Sequence, residues 1–187
     1  MRVVPYTPKH KDEMRAICLA TASERARTSE LHATFTLLMY CDPYLEHGTC
    51  YMLVDDDDVA RGYVLCAEDW ETWKPLFEPY AQKIRALSPE YEQRLAGEYA
   101  YFDQVEERFP AHLHIDIMEP WTGGGNGRLL MDTLLDHLRE VGVRGISFGA
   151  AADNERAKGF YRHMGFGRLP GQEDNENLFC MEFARTA

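Results

Sequence analysis

A mixed α/β (α+β) fold in a single domain is predicted by three features of the sequence. A β-forming stretch at the N-terminus runs directly into a helical repeat. A strictly alternating strand around Ile115 is followed by a glycine-rich loop and an amphipathic helix. The chain then closes on a strand, a helix and two further strands. A length of 187 residues is ample for one core and short for two, so residues 1–187 read as one domain without repeat or linker.

Arg2 to Tyr6 is the first strand, and Lys11 to Ala22 carries Met14, Ile17, Cys18 and Leu19 at helical spacing. Leu31 to Cys41 is a second helix, expected to stop at Asp42-Pro43 because a residue before proline is pushed out of the α region. Thr49 to Val54 and Ala60 to Cys66 form a hairpin around the acidic run Asp55 to Asp58. That run lacks the alternating ligands and distal glutamate of a calcium loop and reads as a solvated turn. Residues 68–110 are a helical insert. Its first helix, with the stripe Trp70, Trp73, Phe77, Tyr80, Ile84 and Leu87, is expected to start late or kink at Pro75 and Pro79; its second is capped by Ser88-Pro89.

In His112 to Met118, Leu113, Ile115 and Ile117 point to one face while His112, His114 and Asp116 point to the other. Arg128 to Val141 is an amphipathic helix ended by Gly142. Gly145 to Gly149 is a strand, Asn154 to Met164 a helix, and Phe166 to Leu169 and Leu178 to Phe183 are the closing strands.

Composition excludes several classes. Twenty basic against 31 acidic residues give a net charge of −11, which disfavours nucleic acid as the main partner. No apolar run is long enough to span a membrane and the N-terminus turns polar within a few residues, so a soluble cytoplasmic chain without membrane or signal segment is expected. Five scattered cysteines without a CxxC pair predict reduced thiols, with neither a disulfide framework nor a metal site.

Trp121-Thr122-Gly123-Gly124-Gly125-Asn126-Gly127-Arg128, between a strand and a helix, is the arrangement of an anion cradle. Glycines admit close approach, and the first helical turn adds unpaired N–H donors and the positive end of its dipole. A plain flexible turn would also use such glycines. Neither GxxxxGK(S/T) nor GxGxxG is satisfied, which leaves a pyrophosphate cradle of another kind.

Thr122 to Gly127 resembles the Q/R-x-x-G-x-G/A loop of the GCN5-related N-acetyltransferases (GNAT). Asn154 to Phe166 fits that family's N-x-x-A-x-x-F-Y-x-x-x-G-F segment at every fixed position. His114 to Ile117, Pro43 to Glu46 and Gly62 to Leu65 also resemble bacterial relatives of the acetyltransferase-like domain at the C-terminus of O-GlcNAcase. Two departures stand out: Thr122 replaces Gln or Arg, and Pro120 lies one place later than usual.

The resemblance implies a mixed, mostly antiparallel central sheet of about six to seven strands, and acetyl-CoA as co-substrate with a primary amine of a small molecule or peptide as acceptor. It places Gly123, Gly124, Gly125, Asn126, Gly127 and Arg128 at the coenzyme pyrophosphate, Ile117 and Met118 along the pantetheine arm with an amide near Met118 polarising the thioester, and Asn154 beside them, with Arg156 and Lys158 as further phosphate neighbours. Asp116 is the first candidate general base and His114 the second; Tyr161, also near the coenzyme, is the general acid. Tyr44, Asp69, Trp70 and Trp73 are candidate acceptor contacts, because aromatic faces and a carboxylate suit a cationic amine. The alternative is a GNAT-fold module that binds acyl-CoA or a protein without turnover. The open edge of such a sheet also allows a homodimer through its closing strands.

Overall fold

The computed structural model describes residues 1–184. Strands β1 (Arg2–Pro5), β2 (Thr49–Val54), β3 (Ala60–Ala67) and β4 (His112–Ile117) form an antiparallel sheet in that order. Strands β5 (Gly145–Gly149), β7 (Leu178–Glu182) and β6 (Gly167–Arg168) form a second antiparallel sheet with β7 in the middle. The helices are α1 (Lys11–Thr21), α2 (Glu24–Thr28), α3 (Glu30–Tyr40), α4 (Asp42–His47), α5 (Trp70–Leu87), α6 (Pro89–Val105), α7 (Asn126–Glu140) and α8 (Glu155–His163).

The single central sheet expected from the resemblance is therefore divided. β4 and β5 meet at one parallel bridge, Ala111 to Ile146, where the Ala111 N–H donates to Gly145 O (3.2 Å) and its carbonyl accepts from Ser147 N (2.9 Å). A ladder needs strands about 4.8 Å apart along its whole length. Beyond this bridge the two strands part, and no further pair joins them.

Alternation along β3 and β4 builds a core on each face of the larger sheet. Tyr63, Leu65 and Ala67 turn toward the helical insert and α1, while Val64, Cys66 and Leu113 turn toward α7. On α7 the stripe Leu130, Met131, Leu134, Leu135 and Leu138 is fully buried, each side chain contributing about 1.5–3 kcal/mol. All five cysteines are buried free thiols.

Two other expectations need correction. Of the two outcomes expected for the first insert helix, a late start is not found: it begins at Trp70, and both prolines lie inside it. Each interior proline costs about 3 kcal/mol. Burial of Trp70, Trp73, Phe77, Tyr80 and Ile84, together with the Asp69 cap, outweighs that cost. Asp42-Pro43 does end α3, but the proline then occupies the first turn of the short α4. The strand expected over Phe166 to Leu169 shrinks to the two residues of β6. The acidic turn is held by its own charges: Asp55 Oδ1 accepts from the amides of Asp57 and Val59, and Asp58 pairs with Arg2 and Lys9.

Candidate active site

The loop after β4 turns back through three successive glycines in the left-handed region, Gly123 (φ 88°), Gly124 (φ 57°) and Gly125 (φ 86°). A non-glycine residue is strained there by about 1–2 kcal/mol. A side chain at any of the three would meet no protein atom within 4 Å, so the loop presents a bare backbone surface. Gly125 is also the N-terminal cap of α7. The Asn126 N–H is engaged by Gly123 O (3.1 Å), and its side-chain amide holds Trp121 O (2.9 Å). The amides of Gly124, Gly125, Gly127 and Arg128 have no partner among the described residues, which leaves four donors at a helix N-terminus. These groups fit a pyrophosphate.

Beside this cradle runs the gap between β4 and β5. Tyr63 stands opposite Asp116 in the register, and Met118 N donates to Arg61 O at 2.9 Å. In an antiparallel ladder the intervening residues turn their backbone groups the other way. Leu113, Ile115 and Ile117 thus direct their N–H and C=O groups into the gap. The amide expected near Met118 is already engaged, and the Met118 carbonyl accepts from Trp121 N (2.8 Å), so the available donor is the amide of Ile117.

On the insert side the gap opens into a cavity of about 760 Å³, lined among others by Cys18, Tyr40, Glu98, His114, Asp116 and Phe148. Asp116 Oδ2 accepts from the Tyr63 hydroxyl at 2.7 Å. Burial raises the proton affinity of Asp116 above the usual carboxylate range, and the Tyr63 hydrogen bond draws it partly back. His114 lies two residues earlier on the same face, its Nε2 3.2 Å from the Tyr44 hydroxyl and its ring edge-on to Tyr40 and Tyr44. Burial depresses its pKa to about 4, so the ring is neutral near pH 7. His112 is 2% exposed, stacked on Phe102 with centroids 4.2 Å apart, and its pKa too is pushed well down by burial.

Tyr161, on α8, packs edge-on against Phe148 (4.7 Å) and tilted on Phe179 (5.2 Å), on the α7 side of the sheet. Its phenol pKa is raised by burial and, secondarily, by the charge of Asp116.

Residues 17–166 match the model of the acetyltransferase (GNAT) family. The chain belongs to this family. Among solved structures, one described as SsHAT is 27% identical, with 98% of each chain covered and a TM-score of 0.80. A GNAT family acetyltransferase from Brucella melitensis in complex with acetyl-CoA is 14% identical over 100% of this chain and 90% of that one, with a TM-score of 0.54. An agmatine N-acetyltransferase is 12% identical over 98% and 100%, with a TM-score of 0.65. At these last two identities the likeness is one of fold. Family membership carries acetyl transfer from acetyl-CoA as the general chemistry of this acetyltransferase.

Other expected site residues have structural duties. Asn154 caps α8, its Oδ1 accepting from Ala157 N (3.0 Å). Arg156 pairs with Glu119 (2.8 Å) and Arg128 with Asp132 (3.2 Å), all four exposed. Lys158, 3% exposed, turns inward to Ala152 O and Glu155, away from any phosphate. Asp69 lies outside the aromatic wall because it caps α5, accepting from Thr72 N at 2.9 Å. Tyr44, Trp70 and Trp73 do come together, around His112. Tyr40 and Glu98 join the cavity, and Tyr63 the Asp116 carboxylate, without a signal in the sequence that marks them as site residues. Tyr63 was legible as a strand residue but its partner was not, since that depends on the β3–β4 register. Among the described residues no group of three His, Cys, Asp or Glu could hold a metal ion, and no helix is long and apolar enough to cross a membrane.

Proposed function

We propose that the chain transfers an acetyl group from acetyl-CoA to a primary amine of a small molecule or peptide, by direct attack with both substrates bound. The observation that carries this reading is Asp116. It is a cavity carboxylate held by Tyr63, one residue from an amide that faces the gap, and its charge is felt by the Tyr161 phenol.

The residues divide the work. The amides of Gly124, Gly125, Gly127 and Arg128 bind the pyrophosphate, and the exposed backbone of Ile115 and Ile117 aligns the pantetheine arm as an added strand would. The Ile117 N–H faces the acyl oxygen and stabilises the negative charge developing there, an effect of about 3–4 kcal/mol for one well-placed donor. Asp116 takes the proton that the amine loses as its nitrogen attacks. Tyr63 holds the carboxylate in place through Oδ2. Raised proton affinity makes this carboxylate a stronger base than a solvated one. Tyr161, kept protonated by its surroundings, donates to the departing sulfur. His114, tied to Tyr44 and two residues farther from the gap, positions the acceptor.

A second reading, a module that binds acyl-CoA without turnover, is favoured by Thr122, which stands where the family has Gln or Arg. The narrower likeness to O-GlcNAcase-associated domains belongs with it. Its support is that the quoted segments are neighbours, β3 pairing with β4 and Tyr44 meeting His114. Calorimetric titration with acetyl-CoA, combined with thiol release over a panel of amines and lysine peptides, separates the two. Binding with turnover that collapses in Tyr161→Phe is expected, whereas absence of acetyl-CoA binding overturns both readings.

A further inference from the structure

Behind His114 the 760 Å³ cavity adjoins a smaller void of about 20 Å³, which lies between α3, α4, α5, α6 and β4. Tyr40, Glu98, Phe102, His112 and His114 line both spaces, so the void is a neighbouring annex separated from the larger cavity by these side chains alone. Tyr44, Trp70 and Trp73 close its far side.

Two polar groups in this annex lack partners. The Glu98 carboxylate forms no hydrogen bond or ion pair among the described residues; the cation whose field reaches it is Arg94, one turn earlier, which is exposed and lies over the Phe35 ring at 5.1 Å. His112 Nδ1 is buried without a hydrogen bond although its ring is 98% shielded, being 2% exposed. Burial keeps both histidines neutral, so they add lone pairs and no positive charge. Aromatic faces around one carboxylate and a neutral imidazole make a cation site, with the ring quadrupoles and the carboxylate acting in the same sense. Its size limits the cation. A void of about 20 Å³ admits one water-sized group, hence an ammonium head, and excludes a trimethylammonium or guanidinium group.

We propose that this annex takes a primary ammonium group of the acceptor, and that the acceptor is an α,ω-diamine or longer polyamine anchored by one end at Glu98 while its other amine reaches Asp116. The reacting end rests on the acetyl-transfer reading above; the anchored end does not.

Calorimetry on the protein saturated with CoA, which cannot transfer an acetyl group, tests the anchor alone. Diamines from 1,3-diaminopropane to 1,8-diaminooctane are compared with the monoamines of equal length and with (4-aminobutyl)trimethylammonium. The best diamine is expected to bind at least about tenfold tighter than its monoamine, and Glu98→Gln to reduce that ratio to about one without changing CoA affinity. In turnover, the diamine advantage in KM is expected to collapse in the same variant. Equal affinity for diamine and monoamine, or a preference that survives Glu98→Gln, overturns the proposal. A diamine preference in binding with no turnover of any amine keeps the anchor and overturns the catalytic reading instead.

Discussion

The two sides of the gap between β4 and β5 are built on opposite principles. On the proposed coenzyme side the available groups are backbone amides, gathered within the short stretch from Ile117 to Arg128 and presented by glycines without side chains. On the proposed acceptor side they are side chains, Tyr63, Glu98, His112, His114 and Asp116, brought together from β3, α6 and β4 and buried among aromatic rings. A backbone site depends on local conformation. A side-chain site depends on tertiary register and on proton affinities set by burial. The two sides should accordingly fail in different ways when altered.

Asp116→Asn carries the largest expected effect: turnover falls by about 10²–10⁴, while acetyl-CoA binding, measured by calorimetry, is unchanged. The same change should raise stability at neutral pH. Burial lifts the folded-state pKa of Asp116 above its unfolded value, so its contribution is complete at low pH and is lost as pH rises through the folded pKa; removing the carboxylate removes that loss. A melting temperature above wild type at pH 7, together with lost activity, is the expected pair of results.

The buried histidines give the opposite sign. His114 has a folded pKa of about 4 against an ordinary 6.5, so its contribution is present above 6.5 and is lost as pH falls toward 4. One such proton gives a slope of up to about 1.4 kcal/mol per pH unit in this window. Chemical denaturation from pH 7 to pH 4 should show this decline, and His114→Gln should make it shallower.

On the coenzyme side, Gly125→Ala places a side chain at φ 86°, where nothing obstructs it but the backbone is strained. The free variant loop relieves this strain of about 1–2 kcal/mol by leaving the cradle conformation and must restore it on binding, so the dissociation constant for acetyl-CoA should rise by up to roughly five- to thirtyfold, with no change in the pH profile of turnover. Arg128→Ala is the mildest. The side chain is exposed and already paired with Asp132, so stability should shift by at most about 0.5 kcal/mol and acetyl-CoA affinity by a few fold, more at low salt than at high.

The same contrast explains what could be read from the chain. The glycine loop, the Asn154 to Phe166 segment and the polar face of β4 were visible because each is contiguous and has a fixed period. Tyr44, Trp70 and Trp73 were selected for their aromatic character, and they do meet around His112. Asp69 joins them by its place beside the hairpin and insert, but a carboxylate before a helix serves first as its cap, and the carboxylate that lines the void among these rings is Glu98 of α6. Backbone alternation assigns the free amide to Ile117, a one-residue difference from Met118 that needs the β3–β4 register. A late start of α5 is overridden for an energetic reason: the local cost of its two prolines is legible in the sequence, and the burial that exceeds it is not.

The single bridge at Ala111 and Ile146 leaves a sheet edge inside the molecule rather than at its rim. Amide protons at Ile115 and Ile117 have no acceptor on the gap side, so in deuterated solvent they should exchange like those of an open edge, while those of His114 and Asp116, bonded to β3, remain slow. A ligand strand laid along the gap would close that edge and slow the two isoleucines together. Isotope uptake at these positions thus becomes a direct gauge of coenzyme occupancy, independent of any acceptor.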